Sequence, residues 1–171
     1  TNQHETHKVS YSKDPDARWL KKGRKYHFGY KAYVATDNDK GYINHVHISP
    51  ANESELKHLE PTIKETPKGT RIFADKGYTS NSNRKLIKAK GLKDGIMYKA
   101  YKNKPLSTWQ KKFNKLISKD RYIVEPCFGT MKRGFRSGRA SYTGQDKVLA
   151  QLQLKAICFN LLKASNLVSL R

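Results

Sequence analysis

Acidic residues are scarce in this chain. Its 171 residues contain 14 Asp and Glu against 35 Lys and Arg, which gives a formal net charge of +21. So large an excess of one sign repels itself unless a polyanion lies nearby. Nucleic acid is therefore the first candidate partner, and an anionic membrane surface is the second.

Long apolar runs and cysteine are also scarce. No run of 18 apolar residues occurs, so we expect no membrane-spanning segment. The chain starts with the polar residues 1–5 and has neither an initial Met nor a signal peptide, which indicates a processed piece or a fragment. Cys127 and Cys158 supply neither a disulfide framework nor a zinc quartet. We expect both to be buried free thiols in a reducing cytoplasm.

The hydrophobic pattern predicts a mixed α/β fold. Strands are predicted at residues 26–37, 42–49, 70–74 and 95–98, and helices at 53–65, 80–89, from near 108, 123–131 and 146–168. This order predicts one sheet covered by helices, in a single domain over residues 1–171. Residues 1–25 are expected to form a basic loop or arm, either a solvated tail or a DNA contact. Asp146 is the expected N-cap of the last helix.

Glu125 lies in the middle of a basic stretch. Arg121 precedes it by four residues and Lys132 follows it by seven, so on a helix all three side chains lie along one face. The spacing alone fits two interpretations. One is a salt-bridged helix surface, and the other is a metal-binding carboxylate flanked by two phosphate-binding cations.

A second carboxylate, Asp75, follows the short apolar strand at 70–74 and precedes Lys76, Gly77 and Tyr78. The carboxyl end of a strand is where α/β enzymes tend to place their chemistry. A basic chain with a strand-end Asp and a helical Glu suggests metal-dependent phosphoryl transfer, because Mg²⁺ takes few carboxylates from the protein. Two such ions, roughly 3.5–4 Å apart, activate the attacking group and neutralise charge at phosphorus.

These motifs resemble those of the IS4/IS5-type DDE transposases, and of IS5-like members in particular. The run 75–78 is similar to the family's Asp-(Arg/Lys/Ala)-Gly-(Tyr/Phe) element. Arg121, Glu125 and Lys132 have the intervals of its Arg-x3-Glu-x6-Lys signature. Further similar stretches are residues 14–18, 28–32, 37 and 50–52. The resemblance thus runs from about Asp14 to the end of the last helix.

The resemblance implies an RNase H-like fold, an α/β sheet flanked by helices. It implies two Mg²⁺ or Mn²⁺ ions and an endonuclease that cuts double-stranded DNA at insertion-sequence ends, after which the freed 3′-OH attacks target DNA. Asp75 and Glu125 would be the catalytic, metal-binding carboxylates. Residues expected to contact DNA are Arg121, Lys132, Lys76, Tyr78, Arg133 and Arg136. A homodimer in the synaptic complex and a cytoplasmic location at the bacterial nucleoid are implied as well.

Two departures from the family pattern qualify this expectation. The full signature has a Tyr three residues before its Arg, and in this chain Ser118 occupies that position. The family's first catalytic Asp is expected on an opening strand well before Asp14, and we find no counterpart to it in residues 1–171. Asp37 is not a substitute, because it falls where a turn begins and is not expected to bind metal. We therefore expect the carboxyl-terminal part of a transposase, with two of three catalytic carboxylates and its first strand missing or incomplete.

Two other functions compete with this one. The missing Asp favours a transposase-derived DNA-binding protein that no longer cleaves, whereas the retention of Asp75 and Glu125 argues against it. An RNase H-fold nuclease acting on branched DNA is opposed by the spacing around Glu125.

Three further stretches of the chain carry weaker patterns. The basic run 99–115 is either a DNA-facing surface or a solvated one, and we favour DNA. Trp109 and Phe113 are expected in the core rather than in base stacking. His45 and His47 are expected to form a surface pair rather than a zinc site.

Overall fold

The computed structural model describes residues 12–168. Within them lie strands β1 (Arg18–Lys22), β2 (Lys25–Thr36), β3 (Ile43–Pro50), β4 (Arg71–Ala74) and β5 (Lys93–Ile96), and helices α1 (Leu59–Thr62), α2 (Asn81–Ala89), α3 (Thr108–Arg121), α4 (Val124–Arg133) and α5 (Gln145–Val168). Short 3-10 turns cover Glu55–His58 and Lys76–Tyr78. The predicted mixed α/β class is confirmed. None of the helices in this described range is both long and apolar enough to cross a bilayer.

The strands form two sheets instead of the single sheet that we expected. In the first, β1, β2 and β3 are antiparallel, with Tyr30 opposite Pro50 and Val34 opposite Val46. In the second, β4 and β5 are parallel, with Phe73 opposite Gly95. Among residues 12–168 no hydrogen-bonded ladder joins the two sheets. The expectation of one sheet was wrong for this part of the chain because β2 and β4 are not neighbours in a ladder.

Part of the expected basic arm is ordered as a strand. Residues 1–11 lie outside the described part of the chain, whereas Arg18–Lys22 pairs with the first half of β2 through a turn at Gly23, whose φ is +61°. The Tyr30 hydroxyl donates to Asp14 Oδ1 at 2.7 Å, which fixes the approach to this hairpin.

The start of α5 is capped from a distant part of the chain. The backbone N–H of Gln145, the first residue of α5, donates to Asp16 Oδ2 at 3.0 Å. Asp146 lies inside the first turn, so its assignment as the N-cap was wrong. An acidic residue in a first turn still interacts favourably with the positive end of the helix dipole.

Two apolar clusters support the sheets. The first packs α4 and α5 on β3 through Ile43, Val46, Ile48, Met131, Phe159 and their neighbours, and the second packs α2 beneath β4 and β5 through Leu59, Ile63, Ile87 and Ile96. Cys127 is buried in the first cluster, where burial raises its pKa to about 11. Cys158 is exposed on α5, so its predicted burial was wrong.

The helix predicted at 53–65 is much shorter, comprising the Glu55–His58 turn and α1. Pro61 lies within α1 and has no N–H to donate to a preceding turn, which accounts for the break. His58 is buried here, with His47 Nε2 at 3.0 Å from its Nδ1 and Glu53 Oε2 at 2.9 Å from its Nε2. The predicted surface pair of His45 and His47 was therefore wrong, since His47 is half-buried against His58.

Candidate active site

A cleft of about 690 Å³ lies between β2 and β4. Its walls include every residue of 31–37 on one side and of 70–75 on the other. Side chains alternate between the two faces of a strand, so a cavity that meets every successive residue lies along the strand's backbone edge. The cleft therefore separates the edges of two strands, one from each sheet.

Asp75 lines this cleft directly after β4. It is the N-cap of the Lys76–Tyr78 turn, and its Oδ1 accepts the backbone N–H of Lys76 at 2.6 Å. Tyr78 lines the same cleft and packs against the second apolar cluster. Burial, followed by the negative charges of Glu55 and Asp75, raises the pKa of Tyr78, so its hydroxyl keeps its proton and can donate a hydrogen bond. Lys76 is exposed.

Gly77 allows Glu55 to approach the turn that holds Asp75. A Cβ at position 77 would overlap Glu55 Oε2. Glu55 is half-buried and lines the cleft, so it is a second acidic side chain beside this turn. The sequence did not predict this position of Glu55, because the pattern around it indicated only an acidic residue in the first turn of a helix.

Glu125 lies at the start of α4, next to Val124 in the cleft wall. Arg121, the last residue of α3, also lines the cleft, and its Nη2 donates to Glu125 Oε1 at 2.6 Å. The Glu125 side chain is 58% exposed and is not part of the cleft wall itself. The buried Arg121 Nε has no hydrogen-bond partner among residues 12–168. Arg121 therefore lines the same cleft as Asp75 and forms the ion pair with Glu125.

The remaining predicted DNA-contacting cations lie beyond Glu125. Lys132 and Arg133 are exposed in the last turn of α4. Arg136 is exposed with a left-handed backbone, φ +49°, and its carbonyl accepts Lys155 Nζ at 3.3 Å. Within the described chain, none of the three predicted cations forms an ion pair. They thus form a basic surface that follows Glu125 along the chain.

Asp37 also lines the cleft, but backbone groups occupy its carboxylate. Its oxygens accept the N–H groups of Asp39, Lys40, Gly41 and Tyr42 at 2.6–3.0 Å. Burial opposes the charged form, yet these hydrogen bonds prevail and lower the pKa of Asp37. Asp37 therefore organises the turn between β2 and β3.

The chemistry of Asp75 in the cleft and of Glu125 beside it suits a hard divalent cation. Asp75 and Glu125 supply carboxylate oxygens, and Mg²⁺ commonly uses one or two carboxylates from the protein, with water and phosphate as further ligands. Within residues 12–168, no group of three or more His, Cys, Asp or Glu side chains is arranged to hold a metal ion. The described residues thus contain two candidate carboxylates and no complete metal site.

Residues 3–161 match the family model of the transposase DDE domain, and the chain belongs to this family. It is similar to the transposase for insertion sequence element IS1106 from Neisseria meningitidis serogroup B, with 53% identity over 158 residues. That match covers 92% of this chain and 54% of the relative, so the chain spans about half the length of that protein. No solved structure matches. The predicted resemblance to insertion-sequence DDE transposases is confirmed.

Proposed function

We propose that the chain is the catalytic portion of an insertion-sequence transposase that cleaves DNA at the element's ends and transfers the freed 3′-OH to target DNA. Asp75 and Glu125 are its metal-binding carboxylates in this proposal. The observation that supports it best is the position of Asp75, at the end of β4 in a cleft shared with Arg121. Arg121 is in turn the ion-pair partner of Glu125.

Arg121 is suited to bind the DNA phosphate next to the reacting bond. Its Nη2 donates to Glu125, and its side chain remains 26% exposed at the cleft. A guanidinium presents several donors in one plane, so it can hold a carboxylate and a phosphate together. The protonated Tyr78 hydroxyl is a further donor in the cleft. Lys76, Lys132, Arg133 and Arg136 are exposed and suited to the phosphate backbone on either side.

Asp75 and Glu125 would hold Mg²⁺ or Mn²⁺, of which two ions are expected from the family chemistry. The bound ions would lower the pKa of the attacking water and offset charge at phosphorus. The chain's own contribution is to fix the two carboxylates, Asp75 by the hydrogen bond from Lys76 N–H and Glu125 by the ion pair with Arg121.

The proposal extends to the fold. An extended segment between β2 and β4 would join the two sheets into one RNase H-like sheet and could carry the third carboxylate of the site. A strand paired on both sides keeps its neighbours roughly 9.5 Å apart, and six residues of strand span about 20 Å. The cleft follows both strand edges over residues 31–37 and 70–75, which is the surface such a segment needs. The expectation that this segment is encoded before Thr1 rests on the family resemblance alone.

The test measures nicking of a duplex that carries the end of the surrounding insertion sequence. The protein is expressed from its whole reading frame, with any residues encoded before Thr1. In Mg²⁺ or Mn²⁺, we expect Asp75→Asn and Glu125→Gln each to lower the nicking rate about 100-fold or more, because each removes a ligand oxygen. Duplex affinity should change by no more than about threefold, because most of it comes from phosphate contacts.

Glu65→Gln is the matched control, since Glu65 lines the same cleft and is exposed. It should leave the nicking rate within about twofold of the unsubstituted protein. Unchanged nicking in Asp75→Asn would reject the assigned site. A protein that binds the duplex and never nicks it would instead be a DNA-binding descendant of a transposase. Homodimerisation in the synaptic complex and location at the nucleoid belong to the same proposal and rest on the family resemblance.

A further inference from the structure

A rigid aromatic cluster lies at the start of α3, away from the two carboxylates in sequence. Trp109 occupies the first turn of α3, which a capping box between Ser107 and Gln110 fixes in place. Its ring stacks on Phe113, with centroids 5.3 Å apart and planes inclined by 22°. Tyr98 meets Trp109 and Phe113 edge-on, at 5.6 and 5.4 Å. The indole is therefore supported from the protein side by two other rings.

The expectation that both α3 aromatics are core residues was wrong for Trp109. Phe113 is half-buried, whereas Trp109 is 60% exposed. An aromatic ring that is held rigidly yet exposed presents a flat apolar surface at low cost in conformational entropy. This arrangement is suited to stacking against a planar partner.

Positive charge surrounds this exposed ring. Exposed lysines of the preceding loop and of α3 are Lys99, Lys102, Lys104, Lys111, Lys112 and Lys115. None of them forms an ion pair in the described part of the chain. Lys112 follows Trp109 by three residues and so lies beside it on the helix surface. Free cations next to an exposed aromatic ring are the combination that proteins use to bind single-stranded nucleic acid.

We propose that this surface, Trp109 with the lysines of residues 99–115, binds unpaired nucleotides of DNA by stacking a base on the indole. The inference rests on the proposed function for its choice of DNA, and it adds a preference for unpaired over paired strands. A membrane-surface helix would instead need a continuous exposed apolar face. On α3 that face is interrupted, because Phe113 is half-buried and Ile117 is fully buried.

The test compares two DNA ligands of equal length, a fully paired duplex and a duplex with a single-stranded tail. Trp109→Ala should weaken binding of the tailed duplex roughly five- to 100-fold, because a stacked base is lost, and leave the paired duplex within about twofold. Leu154→Ala is the control. Leu154 is 64% exposed on α5, so its removal also deletes a large exposed apolar side chain, at a position outside residues 99–115. It should leave the ratio of the two affinities unchanged.

A second pair of variants keeps the test decisive if Trp109→Ala fails to fold. Trp109→Phe should retain most of the preference for the tailed duplex, whereas Trp109→Leu should lose it. Equal losses on both DNAs, or no loss on either, would overturn the proposal. The proposal would also be overturned if the protein bound vesicles of anionic phospholipid and the tailed duplex could not displace it from them. A chain that binds neither DNA would refute the proposed function as well, whereas normal duplex binding without a tail preference would refute this inference alone.

Discussion

At the scale of single residues, hydrogen bonding distinguishes carboxylates that hold the fold together from the two that are assigned to the proposed site. Asp37 accepts four backbone N–H groups, and Asp14 and Asp16 hold Tyr30 and the start of α5. Asp75 accepts one backbone N–H, and Glu125 makes one ion pair. A metal ligand needs free lone pairs, which Asp75 and Glu125 retain, whereas backbone N–H groups take up most of those of Asp37.

Asp37→Asn should lower the free energy of unfolding by about 1–2 kcal/mol near neutral pH, because the charged acceptor is lost. The hydrogen bonds lower the pKa of Asp37 on folding despite its burial, so they stabilise the protein above the unfolded value of about 3.9. This stabilisation disappears as the pH falls through the folded value. Urea unfolding at several pH values should therefore show the difference narrowing below about pH 4.

The exposed Asp39 provides the control, and Asp39→Asn should change the unfolding free energy by less than about 0.5 kcal/mol. A difference between Asp37→Asn and the unsubstituted protein that stayed constant down to about pH 2 would contradict the assigned role of the carboxylate.

Residue patterns predicted some parts of the site and missed others. The motif intervals predicted Asp75, Arg121 and Glu125 as site residues, and in the structure Asp75 and Arg121 line one cleft with Glu125 beside it. Glu55 was not identified, because its contact with the turn at Gly77 depends on folding that brings distant segments together. Trp109 was misassigned because helical spacing predicts which residues share a face, and not whether another element covers that face.

At the scale of elements, local patterns predicted β2, β3, β4 and α2 to within one or two residues of their observed bounds. The failures have tertiary causes. The cap of α5 comes from Asp16, which lies 129 residues before Gln145. The division into two sheets depends on which strand edges meet, and alternation along a strand carries no information about its neighbour.

Docking of α5 on β3 depends on the Asn160 side-chain amide, which pairs with the backbone of Ile43 as a neighbouring strand would. Asn160 Oδ1 accepts the N–H of Ile43, and its Nδ2 donates to the Ile43 carbonyl, both at 2.8 Å. We expect Asn160→Ala to lower the free energy of unfolding by about 2–3 kcal/mol, since both backbone groups lose their partner. Gln153→Ala, at an exposed position on the same helix, should cost less than about 0.5 kcal/mol in the same denaturant titration. Equal costs at the two positions would refute this account of docking.

At the scale of the whole molecule, the net charge of +21 should make binding to duplex DNA strongly electrostatic. Affinity for duplex DNA should fall steeply as the salt concentration rises. In a plot of log K against log salt, each phosphate contact that is removed should make the slope less steep by about 0.9. The double variant Arg133→Ala, Arg136→Ala should therefore reduce the slope by about 2. Lys90→Ala should leave it unchanged, because Lys90 already pairs with Glu60 at 3.6 Å. A slope unaffected by the double variant would exclude these arginines from the interface.

A double-mutant cycle on the nicking rate tests most directly whether Asp75 and Glu125 belong to one catalytic site. The rates of Asp75→Asn, Glu125→Gln and the double variant are compared with that of the unsubstituted protein, at a DNA concentration that saturates all four. Residues that act as a unit are strongly non-additive. We predict that each single substitution lowers the rate about 100-fold or more and that the double variant is no slower than either. Losses that multiply, or a single variant that nicks at the unsubstituted rate, would contradict a shared site.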